Sequence, residues 1–124
     1  MKNERTWVKE NSFYLEDDNI LYVIAVGEVD DETASACKEA ILKLASTKEE
    51  KVNLLVDLNK AGKSSPEARS VWTSIGNNEK IGKVALFGLH PVARVLASFF
   101  MKMIAQNNLR FFNEKEKALE WFKE

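Results

Sequence analysis

One cysteine, one histidine and no long apolar run set the first limits on this chain. With Cys37 alone, neither an internal disulfide nor a cysteine-built metal cluster can form. With His90 alone, a hydrolase would have a single imidazole to serve as its base. No uninterrupted apolar stretch approaches the ~20 residues that cross a bilayer. The opening Met1-Lys2-Asn3-Glu4-Arg5 has no apolar core of the signal-peptide kind, so a cytoplasmic protein is expected. Charge of one sign is missing as well: the net is -1, with acids and bases interleaved. Binding to nucleic acid through bulk electrostatics needs a basic face, and none is evident, so no nucleic-acid partner is expected. No Walker-type phosphate loop, dinucleotide fingerprint, internal repeat or low-complexity segment occurs.

What is present is the composition of an ordinary globule, 45% apolar and 30% charged over 124 residues. That length suits one domain spanning residues 1–124, with a core that needs no covalent staples. Thr6 to Leu15 is strand-like, with Trp7, Val8, Phe13 and Tyr14. Asp17-Asp18-Asn19 signals a turn, and Ile20 to Val26 is a second strand ended by Gly27. The connection is too short for a parallel crossover, so the two strands form a hairpin. Asp30 or Asp31 caps a helix running to about Ala45, whose inward stripe is Ala34, Cys37, Ile41, Leu44 and Ala45.

Val52 to Leu58 is the third strand. Val52, Leu54, Val56 and Leu58 point one way, and Asn53, Leu55 and Asp57 the other. Asn59 to Ser65 is a polar loop, and Pro66 opens a helix with Ser65 as its cap. That helix carries Ala68, Val71, Trp72 and Ile75 and stops at Gly76-Asn77-Asn78. Lys83 to Gly88 is the fourth strand. His90-Pro91 opens a helix to about Gln106, Leu109 to Phe112 is a fifth strand, and Asn113 caps a final helix. The order β-β-α-β-α-β-α-β-α predicts a mostly parallel mixed sheet with an antiparallel first strand and neighbouring strands in sequence order.

Four phrases in that order carry a likeness. They are Gly27-Glu28-Val29-Asp30-Asp31-Glu32-Thr33, Leu54-Leu55-Val56-Asp57-Leu58, Lys83-Val84-Ala85-Leu86-Phe87-Gly88, and Arg110-Phe111-Phe112 followed by Ala118-Leu119-Glu120-Trp121-Phe122. With them the chain, from about Ile20 onward, resembles the SpoIIAA-like branch of the STAS superfamily (sulfate transporter and anti-sigma factor antagonist domains). The resemblance implies a right-handed βα superhelix. It also implies protein partners, and a switch serine at the start of the helix after the third strand. The SpoIIAA-like branch is similar in fold to lipid-carrying CRAL-TRIO domains, which implies a carrier instead. At the switch position this chain reads Lys63-Ser64-Ser65-Pro66, with Lys63 for the antagonists' acid and Pro66 for their glycine.

Candidate sites follow from placement. Ser64 and Ser65 precede a helix, where a phosphate would meet exposed N–H groups and the positive end of the dipole, with Lys63 and Arg69 adding charge. The plainer role for Ser65 is a helix cap. His90 and Arg94 open the helix after the fourth strand, and with Asp30, Asp57, Ser64 and Ser65 they should all fall near the carboxyl edge of the strands, where open α/β sheets bind ligands, so an anion site is a candidate there. The plainer role for a lone histidine with no partner motif is a surface or capping one. Asp57 and Glu28 have no spacing that marks an acid–base pair. No metal or cofactor site is read, and no enzyme is expected.

The helix from His90 has a wide apolar surface, broken only by Arg94, Ser98, Lys102 and Gln106. It is either a core helix or a surface for a partner or an apolar ligand, with Phe99, Phe100 and Met103 as contacts. Trp7, on a strand expected at the sheet edge, is a further interface candidate, whereas Trp72, Trp121 and Cys37 match inward stripes. Two functions stay open. One is a non-catalytic regulatory or protein-interaction module, a homodimer included. The other is a carrier or sensor of a small apolar or amphiphilic molecule.

Overall fold

The computed structural model describes residues 5–16, 18–91, 93–95, 98 and 108–124. Their strands are β1 (Thr6–Val8), β2 (Asn11–Leu15), β3 (Ile20–Val29), β4 (Val52–Ser64), β5 (Ile81–Phe87) and β6 (Leu109–Phe112). Their helices are α1 (Asp31–Ala45), α2 (Pro66–Gly76) and α3 (Lys115–Phe122), and Pro91, Ala93, Arg94, Val95 and Ser98 are helical too. The strands form one sheet in the order β1-β2-β3-β4-β5-β6. β1, β2 and β3 pair antiparallel, and β3 through β6 pair parallel. This is the mixed sheet expected, with neighbours in chain order as short right-handed crossovers require.

Several local features differ from the sequence expectation. The first strand is two strands, because the chain reverses at Lys9-Glu10 with Lys9 at a φ of 54°. The second strand does not end at Gly27. It crosses two irregularities, at Ile24/Val26 and Gly27/Val29, and continues to Val29 with Gly27 at a φ of 75°. The polar stretch after Leu58 is not a loop: β4 stays extended to Ser64, paired with β3 through Lys60, Ala61 and Ser64. Gly62 makes that pairing fit, since a Cβ there would lie 2.8 Å from the Gly27 carbonyl carbon and 2.9 Å from the Glu28 nitrogen.

The two faces of the sheet are covered unequally. One face carries the main core: Phe13, Leu21, Val23, Leu54 and Leu86 pack with Cys37 and Ile41 of α1 and Ile75 of α2. The other carries Ile20, Leu55, Ala85 and Phe87 beneath Ala118 and Trp121 of α3. The alternation read in β4 is therefore real, with Leu54 and Leu58 in the first core and Leu55 in the second. Tyr14 and Tyr22 stack at 4.8 Å, with Tyr22 against this second core, flanked by Arg5 (4.6 Å from the Tyr14 ring) and by Lys115 at the start of α3 (5.1 Å from the Tyr22 ring). Lys83 ties α3 down by donating to the Trp121 and Glu124 carbonyls at 2.9 and 3.0 Å. The N-cap of α3 is Glu114 rather than Asn113, and its side chain makes no capping bond.

Asn11 is the polar residue that joins the antiparallel and parallel halves. It is buried, its Oδ1 accepts from the Val26 N–H at 2.8 Å, and its Nδ2 donates to the Val8 carbonyl at 3.1 Å. It thereby satisfies a donor that lies beyond the last β2–β3 pair, Ser12 with Ile24.

Candidate functional site

The carboxyl edge of the parallel strands is stepped rather than level. β5 is last paired at Phe87, opposite Asp57, and β6 ends beside it at Phe112. β4 runs on from Leu58 to Ser64 with β3 as its one strand neighbour among the described residues, a projection of about 20 Å at the rise of an extended strand. The residues expected together at this edge therefore fall into two groups.

The upper group sits where α1 and α2 begin. Asp30 caps α1, its Oδ1 accepting from the Thr33 N–H at 2.8 Å. Hydrogen bonds from Thr33, first its side chain and then its backbone N–H, hold the Asp30 carboxyl below its usual range. Ser65 caps α2, its Oγ accepting from the Ala68 N–H at 3.0 Å and donating to Asp31 Oδ1 at 2.5 Å. One serine thus closes the end of its own helix and ties it to the first turn of the other. Arg69 reaches back to donate to the Ser64 carbonyl at 2.8 Å, and Lys63 is exposed.

The lower group sits at the exit of β5. Asp57 Oδ1 accepts from both the Asn59 N–H and its Nδ2, each at 2.9 Å, and Asn59 Oδ1 accepts from the Leu89 N–H at 3.1 Å. The Gly88 N–H donates to the Phe112 carbonyl at 3.3 Å. His90 is exposed, and its carbonyl accepts from Ala93 and Arg94, which starts a helical turn. The exposed Arg94 stands 6.0 Å from the Phe111 ring. Leu89 and Val95 are each 68% exposed on either side of this turn, so Val95 joins the wet side rather than the apolar one.

Trp7 is 60% exposed on the edge strand β1, far in the sheet order from both groups. Phe99, Phe100 and Met103 lie outside the described residues. Leu89 and Asn59 escaped the sequence reading; the Asp57-Leu58-Asn59 spacing, suited to a side chain bonding two residues on, was the one cue. Trp121 is buried and Trp72 half-buried against the core.

An apolar cavity of about 60 Å³ lies between the main-core face and the helices, lined by Val23, Ile41, Leu58, Gly62, Ser64 and Trp72 among others. Cys37, in the same core, has its thiol pushed up to about 11 by burial. Among the described residues, no three His, Cys, Asp or Glu side chains are placed to hold a metal ion, and no helix is long and apolar enough to cross a membrane.

A parallel sheet in chain order behind an antiparallel entry, with helices on both faces, defines the SpoIIAA-like fold. Three solved structures carry the likeness. One is an uncharacterized protein from the DUF3478 family with a SpoIIAA-like fold from Shewanella loihica PV-4 (TM-score 0.61, 18% identity, covering 97% of this chain and 91% of that one). Another is the anti-sigma factor antagonist SpoIIAA in its unphosphorylated form (TM-score 0.57, 11% identity, 98% of each chain). The third is the Bacillus cell fate determinant SpoIIAA in the phosphorylated form (TM-score 0.59, 10% identity, 98% of this chain and 99% of that one). The chain itself belongs to the family described as Domain of unknown function (DUF7793), whose profile matches residues 13–124. No curated protein matches it.

Proposed function

We propose that this domain is a non-catalytic regulatory module that binds a protein, a second copy included, at the carboxyl edge of its sheet. The carrying observation is the pair Leu89 and Val95, each 68% exposed around the turn that presents Arg94. Two large aliphatic side chains in water beside a cation are the makings of an interface centre with a polar rim. The likeness in fold to an anti-sigma factor antagonist agrees with a regulatory role. Ser65 acts here as a cap and tie, because a phosphate on its Oγ would face the Asp31 carboxylate that now accepts from it.

The test is a photo-crosslinking amino acid placed at 89 or 95, with Glu39 on the exposed face of α1 as the control position. The expected result is a discrete crosslinked protein species from 89 and 95 and none from 39. Equal, diffuse labelling from all three positions overturns the proposal.

The cavity favours a second reading, a carrier of a small apolar molecule whose polar end meets Ser64. Size decides the order of the two. About 60 Å³ is under half of the ~150 Å³ that accepts benzene in an apolar cavity, so the space between described residues suits a few carbon atoms. Native mass spectrometry tests this reading. An added mass lost on denaturation supports it, and the bare chain mass counts against it.

A further inference from the structure

We infer that the free edge of β4 from Lys60 to Ser64 accepts an added strand, supplied by an extended acidic segment of a protein partner. This rests on reading the domain as an interaction module and specifies how the partner is held. On one side, this stretch pairs with β3 through Val26–Lys60, Gly27–Ala61 and Val29–Ser64. On the other side β5 has already stopped opposite Asp57, so its outward backbone groups have no strand partner among the described residues. The stretch has the length of an ordinary strand, with the Ser64 carbonyl at its far end already accepting from Arg69, and a strand edge without a neighbouring strand among the described residues is a template for one.

The surroundings form a slot. Its floor is the exit of β5, where the bonds from Leu89 to Asn59 and from Gly88 to Phe112 turn the chain aside just below Lys60. Leu89 stands exposed at that floor. Beside the slot lies the apolar cavity, whose lining includes Ala61, Gly62 and Ser64 of this stretch together with Trp72. Alternate side chains of an added strand would meet this apolar side and the solvent in turn.

Charge selects the occupant. The charged residues of the stretch itself, Lys60 and Lys63, are both exposed and both basic, with Arg94 exposed on the turn after β5 and Glu28 exposed on the far strand β3. Two copies joining through this edge would set lysines against lysines, which disfavours self-pairing there and leaves an acidic strand as the complement.

The experiment measures amide hydrogen exchange in the intact chain, alone and with a short end-blocked peptide alternating valine and glutamate. A peptide alternating valine and lysine is the control. The expected result is exchange slowed about tenfold or more at the amides of Lys60–Ser64 that face away from β3, with the acidic peptide only. Lys60→Glu with Lys63→Glu should abolish that protection while leaving the urea midpoint unchanged. No slowing, equal slowing by both peptides, or slowing at the β1 edge instead overturns the inference. Specific crosslinks from 89 and 95 without peptide protection would leave the interaction module standing and remove only strand addition.

Discussion

Gly62→Ala should destabilise the β3–β4 ribbon by more than the usual cost of a buried methyl group. The added Cβ would sit 2.8 Å from the Gly27 carbonyl carbon, 2.9 Å from the Glu28 nitrogen and 3.0 Å from the Gly27 oxygen. All three are backbone atoms of the paired strand, so no rotamer change relieves the contact and the strands must separate. Overpacking of this kind costs ~1–3 kcal/mol. Gly27→Ala makes the contrast: its Cβ would meet nothing within 4 Å, but its φ of 75° belongs to the left-handed region. That strain costs ~1–2 kcal/mol. The assay is urea unfolding followed by far-ultraviolet circular dichroism. With a slope of ~1–3 kcal/mol per molar, a 2 kcal/mol loss moves the midpoint down by roughly 1 M at constant slope. The two single losses should not sum in the double variant, because one local separation of the strands relieves both. A Gly62→Ala midpoint within experimental error of the parent would refute the close approach, and with it the continuation of β4 past Leu58.

Ser65→Ala should cost ~1 kcal/mol through loss of the α2 cap, and more if the tie to Asp31 also counts; Ser65→Thr should restore most of it, as read by thermal unfolding. Asn11→Ala should cost ~1–3 kcal/mol, because the Val26 N–H and the Val8 carbonyl both lose their partner. Exchange of the Val26 amide should rise before that of central β4; a Val26 amide that stays protected would refute the role given to Asn11. Cys37 should resist a thiol reagent in the folded protein throughout the neutral range and react only on unfolding. Because its folded pKa is raised to about 11 from 9.0, the folded state keeps a proton that the unfolded state has lost. Stability should therefore be full below pH 9 and fall as pH rises towards 11. Tyr22, raised from 10.0 chiefly by burial and then by Asp18, adds to the same fall at higher pH. Cys37→Ala should thus remove the component that begins near pH 9, and an unchanged pH profile would refute it.

Much of the fold was legible because its determinants are local. The Ser65-Pro66 pair marked the start of α2, the Asp30-Asp31 pair marked that of α1, and the alternation along Val52 to Leu58 announced a strand with two distinct faces. The candidate site was legible only as a set of residue types near strand ends. Their separation into two levels depends on where β5 stops relative to β4, a difference in length between two chain segments that no local pattern records.

The sequence by itself determined the order of the elements from β3 onward, the starts of α1 and α2 and the inward stripes, since each follows from contacts within a few residues. Only the tertiary structure decided the rest. Lys9-Glu10 is a turn without glycine, asparagine or proline, because the pairing of Thr6 with Phe13 holds Lys9 in a conformation its side chain does not favour. Asn59 to Ser64 is polar and reads as a loop, yet β3 supplies ladder partners for its backbone and keeps it extended. In both places hydrogen bonds to a distant segment outweigh the local preference of the residues themselves.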